Sequence, residues 1–123
     1  MNAAPGQPSI LENLPDIVYS LDPQGRVLSV NRAVRTTLGY EPHELVGTSV
    51  FELVHPEDRP QVLASFTQAL LEGDEGVRMV EFRMLAKNGQ VRHFEVNRRM
   101  LFEGERPLGS EGIARDVSRR KQL

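Results

Sequence analysis

The side chains that could support catalysis or bind a metal are three histidines and a scatter of serines and acidic residues. The histidines stand far apart, with His43 in a short polar segment, His55 before a proline and His93 on a predicted strand. A metal site needs ligands that converge on one point. A catalytic serine or a carboxylate pair would also need an organising motif, such as Gly-x-Ser-x-Gly, and none is present. The sequence therefore predicts no catalytic residue and no metal site.

Composition narrows the choice of partners and compartment. The 123 residues include no cysteine, which excludes disulfides, thiolate metal ligands and cysteine nucleophiles. Fifteen basic residues nearly balance 17 acidic ones, so charge gives no reason to expect nucleic acid or an anionic membrane surface as a partner. No apolar run approaches the roughly 20 residues of a membrane span, and no signal-peptide pattern begins the chain. We therefore expect a cytoplasmic domain without membrane contact.

Capping and turn residues divide the first half of the chain into short elements. Residues 1–8 offer nothing to bury and are predicted to be a flexible lead-in. A capping box beginning at Ser9 starts a short helix that Pro15 stops. Alternating apolar residues then predict a hairpin, with strands at 16–21 and 27–30 joined by a turn at 22–25.

One longer helix and three strands are predicted in the second half. Pro60 is tolerated only in a first turn, so the helix must begin near Asp58, and Gly73 ends it. Alternation around Phe82 and an Asn-Gly turn at Gly89 then predict a meander of three strands. The order is typical of an α+β fold: a five-stranded antiparallel sheet with short helices and one longer helix on one face.

A resemblance to PAS domains covers about residues 9–121. Four stretches carry it, in the family's order and spacing: Asp22-Pro23-Gln24-Gly25 before Val-Leu-Ser-Val-Asn31; Leu53-Val54-His55-Pro56-Glu57-Asp58-Arg59; Glu81-Phe82-Arg83 leading to Lys87-Asn88-Gly89 and Arg92-His93-Phe94; and Asp116-Val117-Ser118. The resemblance implies a strand order of 2-1-5-4-3, with helices covering one face around a ligand pocket. It does not imply which ligand, because one fold serves many functions.

The family is a sensory fold found upstream of histidine kinases, diguanylate cyclases and similar output domains. The resemblance therefore implies a PAS domain at residues 9–118, followed at 119–123 by the start of a linker to an output domain beyond the chain. We expect a non-enzymatic sensor and signal-relay domain. The alternative is a ligand-free PAS module that acts through dimerisation and protein contacts.

Two cofactors familiar in the family can be tested on the residues. Flavin members that form a photo-adduct need a cysteine, which this chain lacks. Haem members usually take an axial histidine from the long helix, and residues 58–72 contain none. No cofactor is predicted, although a non-covalent flavin or another small molecule remains open.

The inner sheet face has one polar exception. If Phe94 points inward, alternation brings Val96 and Arg98 inward too. The predicted pocket residues are Val62, Phe66, Leu70, Phe82, Met84, Phe94, Val96, Arg98 and Ala114, and the same set would equally make a filled core. An inward guanidinium needs a carboxylate, carbonyl groups or a ligand anion, unless it lies near the sheet end and reaches water.

The outer sheet face carries a predicted apolar stripe. Ile113 and Val117 lie on it by alternation, as an antiparallel sheet exposes one face. The predicted cover is the apolar side of the first helix, from the same chain or a second copy: Ile10, Leu11 and Leu14. Because this surface is a common dimer contact in the family, the resemblance implies a homodimer.

Asp116 and Ser118 form the predicted signal exit, where the last strand leads into an outgoing helix that Ser118 caps. If the last two strands join at 103–107, Phe102 pairs roughly with Leu108, Arg98 with Gly112 and Phe94 with Asp116. Arg92 then lies diagonally across from Asp116. We predict that Arg92 or backbone N–H groups hold the Asp116 carboxylate.

The outgoing helix is predicted to be unstable. Its first residues after Ser118 are Arg119, Arg120 and Lys121. Three positive charges lie there at the positive end of the helix dipole.

Overall fold

The computed structural model describes residues 15–121. Five strands form one sheet with the order β2-β1-β5-β4-β3, and every neighbouring pair is antiparallel. Their bounds are β1 Ile17–Leu21, β2 Val27–Val30, β3 Arg78–Leu85, β4 Val91–Glu103 and β5 Arg106–Asp116. The predicted fold class and strand order are confirmed.

The described helices are short except for one. They are α1 Ala33–Thr37, α2 Pro42–Leu45, α3 Arg59–Glu72 and α4 Ser118–Lys121, with a 3₁₀ turn at Val50–Glu52. The longest helix, α3, carries Pro60 in its first turn, as predicted. It ends at Gly73, whose φ of 66° is the left-handed conformation that glycine adopts without strain.

The β4–β5 ladder positions the residues of greatest interest. Phe94 pairs with Asp116 and Arg98 pairs with Gly112, as predicted. Nearer the hairpin, a register shift between Leu101 and Phe102 brings Phe102 opposite Pro107. The predicted Phe102–Leu108 pair is therefore wrong, because a β-bulge adds one residue that alternation alone does not show.

The core lies between the inner sheet face and the helices. Its largest fully buried side chains include Leu38, Val54, Phe94 and Met100. The segment before α3 closes the β3 edge, because the His55 N–H donates to the Arg83 carbonyl and the Leu85 N–H donates to the Leu53 carbonyl. These bonds hold the start of α3 against the sheet.

Candidate functional site

A cavity of about 130 Å³ lies between α3 and the inner sheet face. Five of the predicted pocket residues line it: Val62, Phe66, Phe82, Val96 and Arg98. A smaller adjoining cavity, of about 50 Å³, is bordered by Met84 and Ala114 together with Phe82 and Val96. The sheet and the long helix therefore bring seven of the nine predicted residues to an interior space.

Two predicted pocket residues line neither cavity, which corrects the prediction for them. Phe94 is only 1% exposed and is packed into the core. Leu70 is half-buried and packs against the same core near the end of α3. Alternation and helical spacing give the direction in which a side chain points, but they do not show whether its neighbours fill the space beyond it.

A row of three residues crosses the inner face at the cavity. Gly112 of β5 pairs with Tyr19 of β1 on one side and with Arg98 of β4 on the other. A Cβ at position 112 would lie 2.5 Å from Tyr19 Oη, so glycine makes room for the phenol. Burial raises the pKa of Tyr19 to about 12, although the positive charge of Arg98 opposes the shift. The phenol is therefore neutral at physiological pH.

Arg98 is the charged group of the cavity. It is 9% exposed, and its Nη2 donates to Ser65 Oγ at 2.7 Å and to the Ser65 carbonyl at 3.3 Å. Burial lowers the pKa of the guanidinium, which stays charged because its ordinary pKa is so high. Of the partners that the sequence left open for Arg98, the structure shows a carbonyl group, that of Ser65 on α3. The Ser65 hydroxyl, which was not predicted, also holds the guanidinium.

Sequence reasoning missed Ser65, Tyr19 and Ser110, which also line the cavity. Ser65 and Ser110 each carried a signal. Ser65 follows Val62 at the i+3 helical spacing, and Ser110 lies two residues before Gly112 on its strand. A polar residue inside an otherwise inward-facing apolar series could have identified them.

At the exit, the Asp116 carboxylate has the two kinds of partner that were predicted. Oδ2 accepts from Arg92 Nε at 2.8 Å and lies 2.8 Å from Arg92 Nη2, and Oδ1 accepts from the Ser118 N–H at 2.9 Å. Burial acts to raise the pKa of Asp116, but the hydrogen bonds from Ser118 and Arg92 outweigh it and hold that pKa below its ordinary value. The predicted Arg92–Asp116 contact is confirmed.

Ser118 has a different role from the predicted helix cap. It is the first residue of α4, and its Oγ accepts from the His93 N–H at 2.8 Å. The Val117 N–H in turn donates to the His93 carbonyl. The exit peptide is therefore clamped to β4 at His93, and Asp116 Oδ1 does the capping.

The predicted outer stripe is not continuous. Ile113 is 45% exposed on the outer face, as expected, but Val117 is 6% exposed and buried. The reason is that β5 ends at Asp116, so strand alternation does not extend to Val117. The predicted cover, Ile10, Leu11 and Leu14, lies outside the described residues.

Helix α4 is held to the sheet by acidic side chains. Glu81 and Glu95 lie directly opposite each other on β3 and β4. Arg120 Nη2 lies 3.3 Å from Glu81 Oε1 and 3.1 Å from Glu95 Oε2, and Lys121 Nζ lies 3.5 Å from Glu81 Oε2. The prediction of an unstable helix did not take these carboxylates into account. Their ion pairs with Arg120 and Lys121 oppose the repulsion between these cations and the helix dipole, and also the repulsion between the two glutamates.

Five antiparallel strands with helices over one face, an interior cavity and a short exit helix define the class, a small α+β domain. The family model described as "PAS fold" matches residues 8–117. The chain belongs to the PAS family.

Known proteins are similar over most of the chain. The PAS domain of a Colwellia psychrerythraea protein superposes with a TM-score of 0.79 at 26% identity, over 89% of this chain and 92% of that one. A sensory box histidine kinase/response regulator from Burkholderia thailandensis gives 0.71 at 26% identity, over 88% and 81%. A methyl sulfide methyltransferase-associated sensor from Methanosarcina acetivorans is 28% identical over 93% of this chain and 11% of its own length.

The curated relatives are much longer proteins. The matched region spans 9% and 16% of the length of two of them, the mouse neuronal PAS domain-containing protein 1 and the Neurospora crassa white collar 2 protein.

Among residues 15–121, no helix has the length and apolar character that a membrane span requires. The same residues contain no group of three or more potential side-chain ligands placed to hold a metal ion.

Proposed function

We propose that this PAS domain is a non-enzymatic, cytoplasmic sensor and relay domain for an output domain of the same polypeptide. One observation carries the proposal: the strands that line the cavity also form the exit. On β4, Val96 and Arg98 face the cavity while Arg92 and His93 hold the exit. On β5, the cavity residue Ser110 lies six residues before the exit carboxylate of Asp116.

The proposed relay is mechanical. Each strand is continuous from the cavity to the exit, and the antiparallel ladder joins β4 to β5 along this length. A ligand that shifts one strand at the cavity therefore also shifts it at the exit, where His93 moves relative to Asp116. That displacement changes the Arg92–Asp116 contact, which sets the direction in which α4 leaves. The Burkholderia neighbour is a sensory box histidine kinase by name, which supports an output domain of the histidine kinase type. A diguanylate cyclase is the other output that the family resemblance suggests.

The proposed ligand is a small molecule bound without a covalent bond. A cavity of about 130 Å³ is close to the roughly 150 Å³ of an engineered apolar cavity that takes benzene. A molecule of that size fits the space, whereas haem and flavin are several times larger. We therefore propose that no cofactor is needed for the relay.

The test compares two carboxylate removals on β5 in the complete polypeptide. Asp116→Asn keeps the shape and most of the capping capacity but removes the charge that binds Arg92. Glu111→Gln removes a charge that binds Arg99 at 2.7 Å on the outer face. We expect Asp116→Asn to change the basal kinase activity and its response to the stimulus, and Glu111→Gln to leave both unchanged. Unchanged output in Asp116→Asn would refute the ion-pair relay and leave Asp116 a capping role alone.

We propose, second, a homodimer, which the exposed apolar side chains on the outer sheet face favour. Ile113 pairs with Val18 on β1 and with Asn97 on β4, and Asn97 pairs in turn with Met79 of β3. Ile113 and Met79 are both exposed. Sedimentation analysis tests this proposal by comparing Ile113→Glu with Leu71→Glu, a control substitution at an exposed position on α3. A dimer that survives Ile113→Glu unchanged would exclude this face as the contact.

A further inference from the structure

Arg98 is a buried cation without a carboxylate partner among residues 15–121. Only its Nη2 makes hydrogen bonds there, and both go to Ser65. Arg98 borders the cavity on one side and a surface groove between α3 and β3 on the other. A guanidinium presents five donors in a fork that matches a carboxylate. Two bonds to one serine therefore leave most of its donors open to solvent or to a ligand.

The nearby carboxylates are occupied elsewhere. Asp74 accepts from Arg78 Nε at 2.8 Å and from the Gly76 N–H at 2.9 Å. Glu72 accepts from Gln68 Nε2 at 2.8 Å. Glu81 borders the cavity, but its carboxylate oxygens contact Arg120 and Lys121 of α4.

The other polar groups around the cavity suit an anion. Tyr19, a neutral phenol, and the hydroxyls of Ser65 and Ser110 can each donate a hydrogen bond. Arg78 adds a second positive charge near Arg98, where it acts to lower the Arg98 pKa, while the Asp74 carboxylate that binds Arg78 acts to raise it. Away from this corner the wall is mostly apolar, with Val62, Phe66, Val80 and Phe82, and Gln61 is a polar exception.

We propose that the cavity binds a small apolar monocarboxylate, with its carboxylate at Arg98 and its aliphatic or aromatic body against the α3 side of the cavity. This inference rests on the proposed sensor function and names the ligand class of that same cavity. A charge-assisted, two-point contact fixes the carboxylate, and the apolar wall rewards a body no larger than about one ring. Dicarboxylates and sugars fit the cavity less well, because the mostly apolar wall leaves most of their further polar groups unpaired.

The test uses benzoate and its neutral isostere benzamide, titrated into the isotopically labelled domain and followed by amide chemical shifts. We expect benzoate to shift the Ser65, Ser110 and Gly112 amides and to bind at least about tenfold more tightly than benzamide. Arg98→Met should reduce benzoate binding to the benzamide level. Arg99→Met, a change of the neighbouring outward arginine that binds Glu111, should leave benzoate binding unchanged.

Each of the other possible outcomes would refute a defined part of the ligand proposal. Equal binding of benzoate and benzamide in the cavity would refute the carboxylate preference while leaving a ligand-sensing cavity intact. Benzoate shifts confined to groove residues such as Gln68 would make the contact a surface one and refute the cavity site. Binding of neither probe would refute the proposed ligand class, and the relay itself would still be judged by the Asp116→Asn output. If Arg98→Met does not fold, Ser65→Ala and the benzoate-to-benzamide ratio in the unmodified domain decide.

Discussion

Asp58 fastens the long helix to the sheet, and its removal gives the most quantitative prediction. Its carboxylate accepts from the Arg83 N–H at 2.8 Å, from Arg83 Nε at 3.1 Å and from Arg83 Nη2 at 2.7 Å. Asp58 immediately precedes α3, and Arg83 lies on the edge strand β3. The contact therefore fixes the N-terminus of the helix that covers the cavity. We predict that Asp58→Asn destabilises the domain and loosens this cover.

The pKa of Asp58 sets the magnitude. Hydrogen bonds from the Arg83 side chain are the main cause that lowers it from 3.8 to about 2, although burial opposes them. That shift corresponds to at most about 2.4 kcal/mol of stability at pH 7. Arg83 is 31% exposed, so solvent screening reduces the expected loss in Asp58→Asn to about 1–2 kcal/mol.

The pH dependence has a definite sign. Because the folded pKa is depressed, the stabilisation is fully present above the unfolded value near 4 and is lost as the pH falls toward 2. About half of it should be gone by pH 3. The difference in unfolding free energy between the unmodified domain and Asp58→Asn should therefore shrink from pH 7 to pH 3.

Urea unfolding at several pH values measures this difference, and Glu57→Gln is the matched control. Glu57 lies 3.1 Å from the same guanidinium but is 74% exposed, so its removal should cost less than about 0.5 kcal/mol. Equal losses in the two variants would refute the reasoning that burial and geometry, rather than proximity to Arg83, decide the strength. A loss in Asp58→Asn that does not change between pH 7 and pH 3 would show that the carboxylate charge is not its source.

Three further predictions concern the cavity row, the exit helix and cofactors. Gly112→Ala should destabilise the domain by about 1–3 kcal/mol in urea unfolding, because its Cβ would press on Tyr19; Tyr19→Phe should recover part of that loss, and additive effects would contradict the clash. Replacing Arg120 and Lys121 by Gln should speed amide exchange in α4 at low salt, with less difference at high salt; an equal change in Arg119→Gln would contradict a specific role for the ion pairs. The purified domain should show no visible absorbance band, and a Soret or flavin band would overturn the cofactor prediction.

The fold could be predicted from the sequence because its signals are local. Alternation around Phe82 and Phe94 gives the strand faces, and Pro60 and Gly73 bound the long helix. The Arg92–Asp116 contact followed from counting along one hairpin. The β-bulge near Phe102 was missed because bulges change the register by one residue without altering the apolar pattern.

The remaining features depend on packing between distant segments. The cavity is space that Val62 and Phe66 leave above the sheet, and no local pattern gives its volume. The contacts of Arg120 with Glu81 and Glu95 join residues 25 or more positions apart, so the sequence showed three repelling charges and not their partners. Phe94 was expected at a cavity for the same reason, since its direction was correct but its neighbours fill the space.

Coupling between the cavity and the exit is the central claim, and amide hydrogen exchange tests it most directly. Val62→Phe places a larger side chain in the cavity from the α3 side and so fills part of it. The substituted position lies on a different element from the exit contacts, which are on β4 and β5. Leu63→Phe, the control, adds the same ring at the next position, which is 48% exposed. We predict that Val62→Phe changes exchange at the His93, Val117 and Ser118 amides while Leu63→Phe does not. Exit exchange rates that are the same in both variants and the unmodified domain would contradict the claim.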